Sequence, residues 1–219
     1  MEDIDMERAQ AVLFDLDGTL WNAVEEICYT WNEVVKKNPD SRKTLISIEE
    51  MGECLGLPMT KIAEKLFPEA SKERQMELLE ECSSVENEYL RTHGAKLYPK
   101  LRETLLELKK DYKLFVVSNC QQGYIESFIE AHGLSDCFDD IECWGNNQLP
   151  KGENNKLIMK RNNVERAVYV GDTAGDEKSA RVAKIPFVFA EYGFGRAKAP
   201  DYVLKEFAQL PELMKTVSF

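Results

Sequence analysis

Four apolar residues, Ala11–Phe14, run straight into Asp15-Leu16-Asp17-Gly18-Thr19-Leu20. A run of that length with β-branched and aromatic members has the character of a buried strand. Two carboxylates one residue apart end it, and Gly18 then lets the backbone turn sharply. A continuously apolar strand belongs inside a parallel sheet covered on both faces. Such sheets collect ligands beyond the carboxyl ends of their strands, which is where Asp15 and Asp17 stand. Taken alone, the string has a plainer reading, an acidic turn with no further role.

After Leu20 the strand pattern stops, and residues 21–97 are predicted to be helical throughout. Ile27, Trp31, Val34 and Val35 mark one amphipathic face, and Ser47-Ile48-Glu49-Glu50 fits a capping box. Gly56-Leu57-Pro58 breaks the pattern before a helix over 59–66. A long helix is predicted over 71–93, its apolar face set by Met76, Leu79, Cys82, Val85, Tyr89 and Leu90 and its end by Gly94. From residue 98 helix and strand alternate, with strands at 114–117, 141–144, 167–170, 186–190 and 202–204 and a final helix over 207–216. The chain therefore reads as an α/β protein. A Rossmann-like parallel-sheet core takes residues 1–20 and 98–219, and an all-helical domain, 21–97, is inserted after the first strand.

Three of the strands end in polar groups: Asp15 and Asp17, then Ser118 and Asn119, then Asp172 with Asp176 one helical turn on. Parallel strands put all of these on one rim, and Lys151, in the loop after the 141–144 strand, falls on the same rim. Carboxylates packed this densely repel unless something positive sits among them. A hard divalent cation with oxygen ligands, Mg²⁺ above all, meets that need, and it lets an acidic protein hold an anionic phosphate. Asp15 then serves as nucleophile, since carboxylates form acyl phosphates. Asp17 protonates the leaving oxygen and later takes a proton from water. Ser118, the Asn119 backbone amide and Lys151 hold the phosphoryl oxygens. Asp172 binds the metal, with Asp176 beside it or behind a bound water. Singly, Ser118 reads as a helix cap, Lys151 as solvated surface and Gly171-Asp172-Thr173 as a helix start; the joint placement carries the reading.

Other chemistries lack their residues. No cysteine has an arginine six positions on, and there is no G-x-x-x-x-G-K-[ST], G-x-G-x-x-G or G-x-S-x-G string. The two histidines, His93 and His132, each precede a glycine that ends a helix, a structural place where an imidazolium gains from the helix dipole. A net charge of -11 argues against nucleic acid and anionic membranes as partners. Six cysteines without C-x-x-C spacing read as reduced core fillers. No apolar run reaches membrane-spanning length, and the acidic start, residues 1–5, lacks the pattern of a signal peptide. The expected setting is cytoplasmic, the expected form a monomer or homodimer.

These residues make the chain resemble the haloacid dehalogenase-like hydrolase superfamily. Asp15-Leu16-Asp17-Gly18-Thr19 is similar to its first motif, Val116-Val117-Ser118-Asn119 to its second, Lys151 to its third, and Gly171-Asp172-Thr173-Ala174-Gly175-Asp176 to its fourth. The insert resembles the superfamily's C1-type cap. Ala190-Glu191-Tyr192-Gly193-Phe194-Gly195 and Pro200-Asp201-Tyr202-Val203 resemble the phosphoglycolate phosphatase-like branch. The resemblance implies a Mg²⁺-dependent phosphatase acting on a small phosphorylated metabolite through an aspartyl-phosphate. It implies Asp15, Asp17 (through its carbonyl), Asp172 and Asp176 at the metal, and Gly18, Thr19, Ser118, Asn119 and Lys151 at the phosphate. Two alternatives stay open: a phosphomutase of the β-phosphoglucomutase type, and a non-catalytic phosphate-binding protein. Gly152 stands where proline is common, Asn22 where an aspartate often follows, and Lys100 where glycine is frequent. Trp21, Leu57, Met59 and Lys61 are expected to line the substrate pocket.

Overall fold

A computed structural model describes residues 9–218; the acidic start read above lies outside them. Strands β1 (Ala11–Phe14), β4 (Lys113–Ser118), β5 (Asp140–Cys143), β6 (Ala167–Gly171), β7 (Phe187–Ala190) and β8 (Tyr202–Leu204) form one sheet in the order β5-β4-β1-β6-β7-β8, every pair parallel. Two further strands, β2 (Trp21–Asn22) and β3 (Lys96–Leu97), pair antiparallel where the chain leaves the sheet and where it returns. The helical reading of 21–97 is thus corrected at its two ends. Between them lie α1 (Val24–Lys37), α2 (Ile48–Gly52), α3 (Met59–Leu66) and α4 (Lys72–His93). The sheet's helices are α5 (Leu101–Leu108), α6 (Tyr124–His132), α7 (Trp144–Asn147), α8 (Lys151–Arg161), α9 (Ala174–Ala183) and α10 (Leu210–Met214). The 145–151 stretch, expected to be a loop, holds the short α7 and, at Lys151, the start of α8, and the final helix is preceded by a 3₁₀ turn, Phe207–Gln209.

The two faces of β1 separate by the strand's period of two. Val12 and Phe14 join a large apolar cluster that continues into α1, α3 and α4, while Leu13 packs with Phe115, Val117, Tyr169 and Phe187 on the other face. All four residues of β1 are fully buried. Phe14 pairs with Val116 on one side and Val170 on the other, so the ends of β4 and β6 flank Asp15. Chain order reverses across β1 and β6, the switch point at which open α/β sheets hold ligands.

The buried stripe of α4 is Gln75, Leu78, Leu79, Cys82, Glu86 and Leu90; Met76, expected inside, is 45% exposed. The stripe thus includes a carboxylate, Glu86, one turn from both Cys82 and Leu90. Asn22 Oδ1 accepts from the Val24 amide at 3.2 Å just ahead of α1, whose N-cap position is Ala23. Lys100, at φ 59°, sits in the left-handed conformation before α5 that glycine takes at no steric cost. Gly152 lets α8 and α9 close up, since a Cβ there would lie 2.7 Å from Val182 Cβ.

Both histidines are structural. His93 stacks on Tyr89 at 4.1 Å. His132 packs edge-on to Trp21, and its Nε2 faces the Ala95 amide at 3.4 Å. Burial pulls the His132 pKa down, so the imidazolium expected there is disfavoured. All six cysteines are buried and unpaired. No helix among the described residues is long and apolar enough to cross a membrane.

Candidate active site

Asp15 leaves the end of β1 fully desolvated, 1% exposed, its amide donating to Val170 O at 2.9 Å. Lys151, the first residue of α8, reaches it from the side: its Nζ is 2.8 Å from Asp15 Oδ1 and 2.7 Å from Asp176 Oδ1, and 5.9 Å from the centre of the Tyr169 ring. Burial by itself would lower the lysine's pKa, but the two carboxylates outweigh it and hold Lys151 charged. Burial also dominates at Asp15 and, with the Asp176 charge, lifts its pKa to about 6 against the pull of Lys151.

Asp176 belongs to the capping box of α9. Its Oδ2 accepts from the Thr173 amide at 2.9 Å and hydroxyl at 2.6 Å, and its Oδ1 takes Lys151, with Tyr169 OH at 3.5 Å. Both oxygens are therefore engaged by protein donors. Asp172 is different. Its Oδ2 accepts from the amides of Phe194 and Gly195 at 2.8 and 3.2 Å, while its Oδ1 is buried and finds no protein partner. Asp15 Oδ2 is buried without a partner as well. Burial, then the charges of Asp176 and Asp15, raise the Asp172 pKa to about 7. Carboxylate oxygens of Asp15, Asp172 and Asp176 lie within 4.8 Å of one another, and all three residues are buried. Orphaned carboxylate oxygens in such a cluster are what a divalent cation with oxygen ligands requires, so the residues present fit one.

Asp17 is held differently again. Its Oδ1 accepts from Tyr124 OH at 2.8 Å and Trp21 Nε1 at 2.9 Å. Burial raises its pKa to about 8, with the charges of Asp15 and Glu86 adding to the effect and the two hydrogen bonds opposing it. A carboxyl group that stays protonated near neutral pH can act as an acid.

Gly18 turns the chain at φ 81°, where a Cβ would lie 2.3 Å from Asp172 Oδ2; its amide bonds Trp21 O at 2.9 Å. The Thr19 amide bonds Leu16 O at 3.2 Å, and its hydroxyl is buried without a partner. The backbone amides of these two residues thus serve the turn itself. Ser118, 5% exposed, and Asn119 line a pocket that adjoins Asp17, and Asn119 Nδ2 donates to Gly56 O at 3.1 Å. Leu57 and Met59 line that pocket, as expected, whereas Trp21 is buried against Asp17 and Lys61 is exposed and paired with Glu64.

The sequence reading missed Tyr124, Tyr169, Glu86 and the Phe194–Gly195 amides. Tyr124 and Tyr169 look like any apolar-face aromatic in sequence, and backbone amides carry no residue code. Glu86 did leave a trace, an acidic residue in step with Cys82 and Leu90.

Among curated proteins, the phosphoglycolate phosphatase of Aquifex aeolicus is 27% identical over 217 residues, covering 94% of this chain and 96% of its own. Among solved structures, a haloacid dehalogenase-like family hydrolase from Streptococcus pneumoniae superposes with a TM-score of 0.80 at 20% identity, covering 94% of this chain and 98% of that one. CbbY of Rhodobacter sphaeroides, solved with xylulose-1,5-bisphosphate, superposes with a TM-score of 0.78 at 20% identity, covering 92% and 96%. At such identities the structures speak for the fold alone. A family model described as haloacid dehalogenase-like hydrolase matches residues 12–190, from the first strand through β7 and every polar strand end between them. By that match the chain belongs to the haloacid dehalogenase-like hydrolase family.

Proposed function

We propose that this hydrolase is a divalent-cation-dependent phosphatase that cleaves a small phosphomonoester through an aspartyl-phosphate on Asp15. That it is a phosphatase rests on its family and on relatives such as the Aquifex enzyme. The observation that carries the finer reading is the pair of orphaned carboxylate oxygens, Asp15 Oδ2 and Asp172 Oδ1, in one buried cluster with Asp176. Asp15 and Asp172, with the Asp17 carbonyl, would hold Mg²⁺, and Asp176 would orient Lys151 and act on the metal through water. Bound there, Mg²⁺ neutralises the carboxylates and the phosphoryl charge.

Asp15 attacks phosphorus while Lys151, 2.8 Å from its Oδ1, keeps it ionised and faces the developing charge. Ser118 and the Asn119 amide hold the phosphoryl oxygens from the end of β4. Asp17, protonated and aimed by Tyr124 and Trp21, gives its proton to the leaving oxygen. It then takes one from the water that hydrolyses the acyl phosphate. The 21–97 segment acts as a cap. It packs on the sheet side through α4 against α6 and through polar bridges, Asn119 to Gly56 O and Asn87 to Gln122 O among them; closed over the site it would exclude water.

Purified protein with Mg²⁺ is expected to hydrolyse p-nitrophenyl phosphate, and chelation to stop it. Asp15→Asn is expected to abolish turnover, and retained activity would remove the nucleophile. Release of inorganic phosphate from a sugar phosphate faster than its isomerisation decides against the mutase.

A further inference from the structure

The pocket beside Asp17, Ser118 and Asn119 offers about 40 Å³ of free volume, room for a few non-hydrogen atoms of a small molecule rather than for a large ligand. Its walls are largely apolar, Trp31, Met51 and Met59 among them. The charged residues that line it are Asp17 and Glu86, both acidic, and no Lys, Arg or His among the described residues lines it. Lys151 does not line it and is already held between Asp15 and Asp176. Glu86, 3% exposed, comes from the middle of α4. Its carboxylate accepts from Trp31 Nε1 and, at 3.0 Å, from Gln121 Nε2. Each carboxylate oxygen can accept two hydrogen bonds, so both keep capacity for a donor from a bound molecule.

In a buried, largely apolar space that no cationic side chain of the described residues lines, a negative charge brought beside Glu86 goes uncompensated, and the low local dielectric magnifies its cost. A neutral or cationic group with a hydrogen-bond donor gains there instead. Resting on the phosphatase reading above, we propose that this pocket receives an uncharged or cationic alcohol bearing a hydroxyl or ammonium for Glu86, and rejects esters whose alcohol part carries a carboxylate or second phosphate. The chain thereby parts from relatives named for phosphoglycolate, whose alcohol part carries a carboxylate.

Four near-isosteric esters test this at pH 8, above the value of about 7 to which burial lifts Glu86: 2-hydroxyethyl, 2-aminoethyl and propyl phosphate, and phosphoglycolate. The hydroxyl or the ammonium ester is expected to exceed phosphoglycolate in kcat/KM by tenfold or more and to exceed propyl phosphate; which of the two leads tells hydroxyl from ammonium recognition. Phosphoglycolate equal to or better than both overturns the proposal. Glu86→Gln is expected to shrink the preference over phosphoglycolate about tenfold, mainly through KM, with Glu86→Asp restoring part of it. A uniform fall in kcat on all four esters would mark Glu86 as a packing residue and overturn the assignment. If Glu86→Gln does not fold, the wild-type series decides alone. No turnover of any ester, p-nitrophenyl phosphate included, removes the phosphatase reading and this one with it; turnover that favours phosphoglycolate removes only this one.

Discussion

Asp15, Asp17 and Asp172 are three buried aspartates on adjoining strand ends, and their neighbours set them apart. Asp15 lies against a lysine, Asp172 against two backbone amides, and Asp17 against a phenol and an indole. Charged and dipolar partners favour ionisation to different extents, and burial opposes it in all three. Tyr124, 1% exposed, aims Asp17 with its hydroxyl and lends its side chain to the pocket wall. Tyr124→Phe keeps the packing and loses one bond to the acid. The expected result is a fall in kcat of about tenfold, roughly 1.4 kcal/mol of barrier, with KM little changed in steady-state kinetics. Glu86 gives the pH dependence. Burial lifts its folded pKa to about 7 from 4.5, so its contribution to stability is complete below pH 4.5 and is lost as pH rises through 7. Wild-type protein is therefore expected to lose on the order of 2 kcal/mol from this group between pH 5 and pH 8. Glu86→Gln, followed by urea unfolding at both pH values, should remove that part of the slope.

At the scale of elements, the site depends on how closely helices approach one another. Lys151 opens α8 and Asp176 opens α9, so the lysine reaches both Asp15 and Asp176 only if the two helices sit close together. Gly152 makes that approach possible. Gly152→Ala puts a methyl 2.7 Å from Val182 Cβ and 3.1 Å from Ser179 O, and helix backbone on one side cannot give way. The expected cost is about 1–3 kcal/mol in the urea midpoint, with a loss of activity as Lys151 is displaced. Proline, common at this position in the superfamily that the sequence resembles, would meet the same wall. The 193–195 turn works in a similar way from the end of β7, the neighbour of β6: a Cβ on Gly193 would lie 2.3 Å from Asp172 Cβ, so only the bare backbone brings the next two amides onto Asp172 Oδ2.

Across the whole molecule, the charge balance is unusual. A chain of net charge -11 gathers four carboxylates at one rim with one lysine among them. In the absence of a cation this cluster opposes folding by self-repulsion. Binding of a cation to the folded state alone then raises stability by mass action. Millimolar Mg²⁺ is expected to raise the thermal midpoint by several degrees at pH 8, and chelation to reverse it. Asp172→Asn should abolish the shift while leaving the metal-free midpoint at or above the wild-type value, since it removes one of the repelling charges but keeps an acceptor for the Phe194 and Gly195 amides. An unchanged response to Mg²⁺ in that variant would place the cation elsewhere.

The sheet was legible because its strands are buried on both faces, so apolar runs such as Ala11–Phe14 and Ala167–Gly171 stand out in the chain, and the polar residue that ends each run marks the rim. The positions of Asp15, Ser118, Lys151 and Asp172 on one rim follow from parallel connectivity alone. What that local pattern could not supply is the set of partners. Which aspartate oxygens are left over depends on amides donated from residues 194 and 195, contacts that no residue pattern encodes. It depends too on the capping box at Asp176, which the Thr173-x-x-Asp176 spacing does allow, although the remaining Asp176 oxygen finds Lys151 only in the fold. The same limit applies to the pocket. Local periodicity finds an apolar face on α4, but the exact rotation that turns Glu86 inward and Met76 outward is set by helix packing against α1 and α6. In this protein, then, sequence determined the strands, their order of chemistry and the acidic rim, because these are properties of short stretches of chain. Tertiary structure alone decided which aspartate oxygens are left without a protein partner and which carboxylate lines the pocket, because both are set by groups brought together from distant parts of the chain.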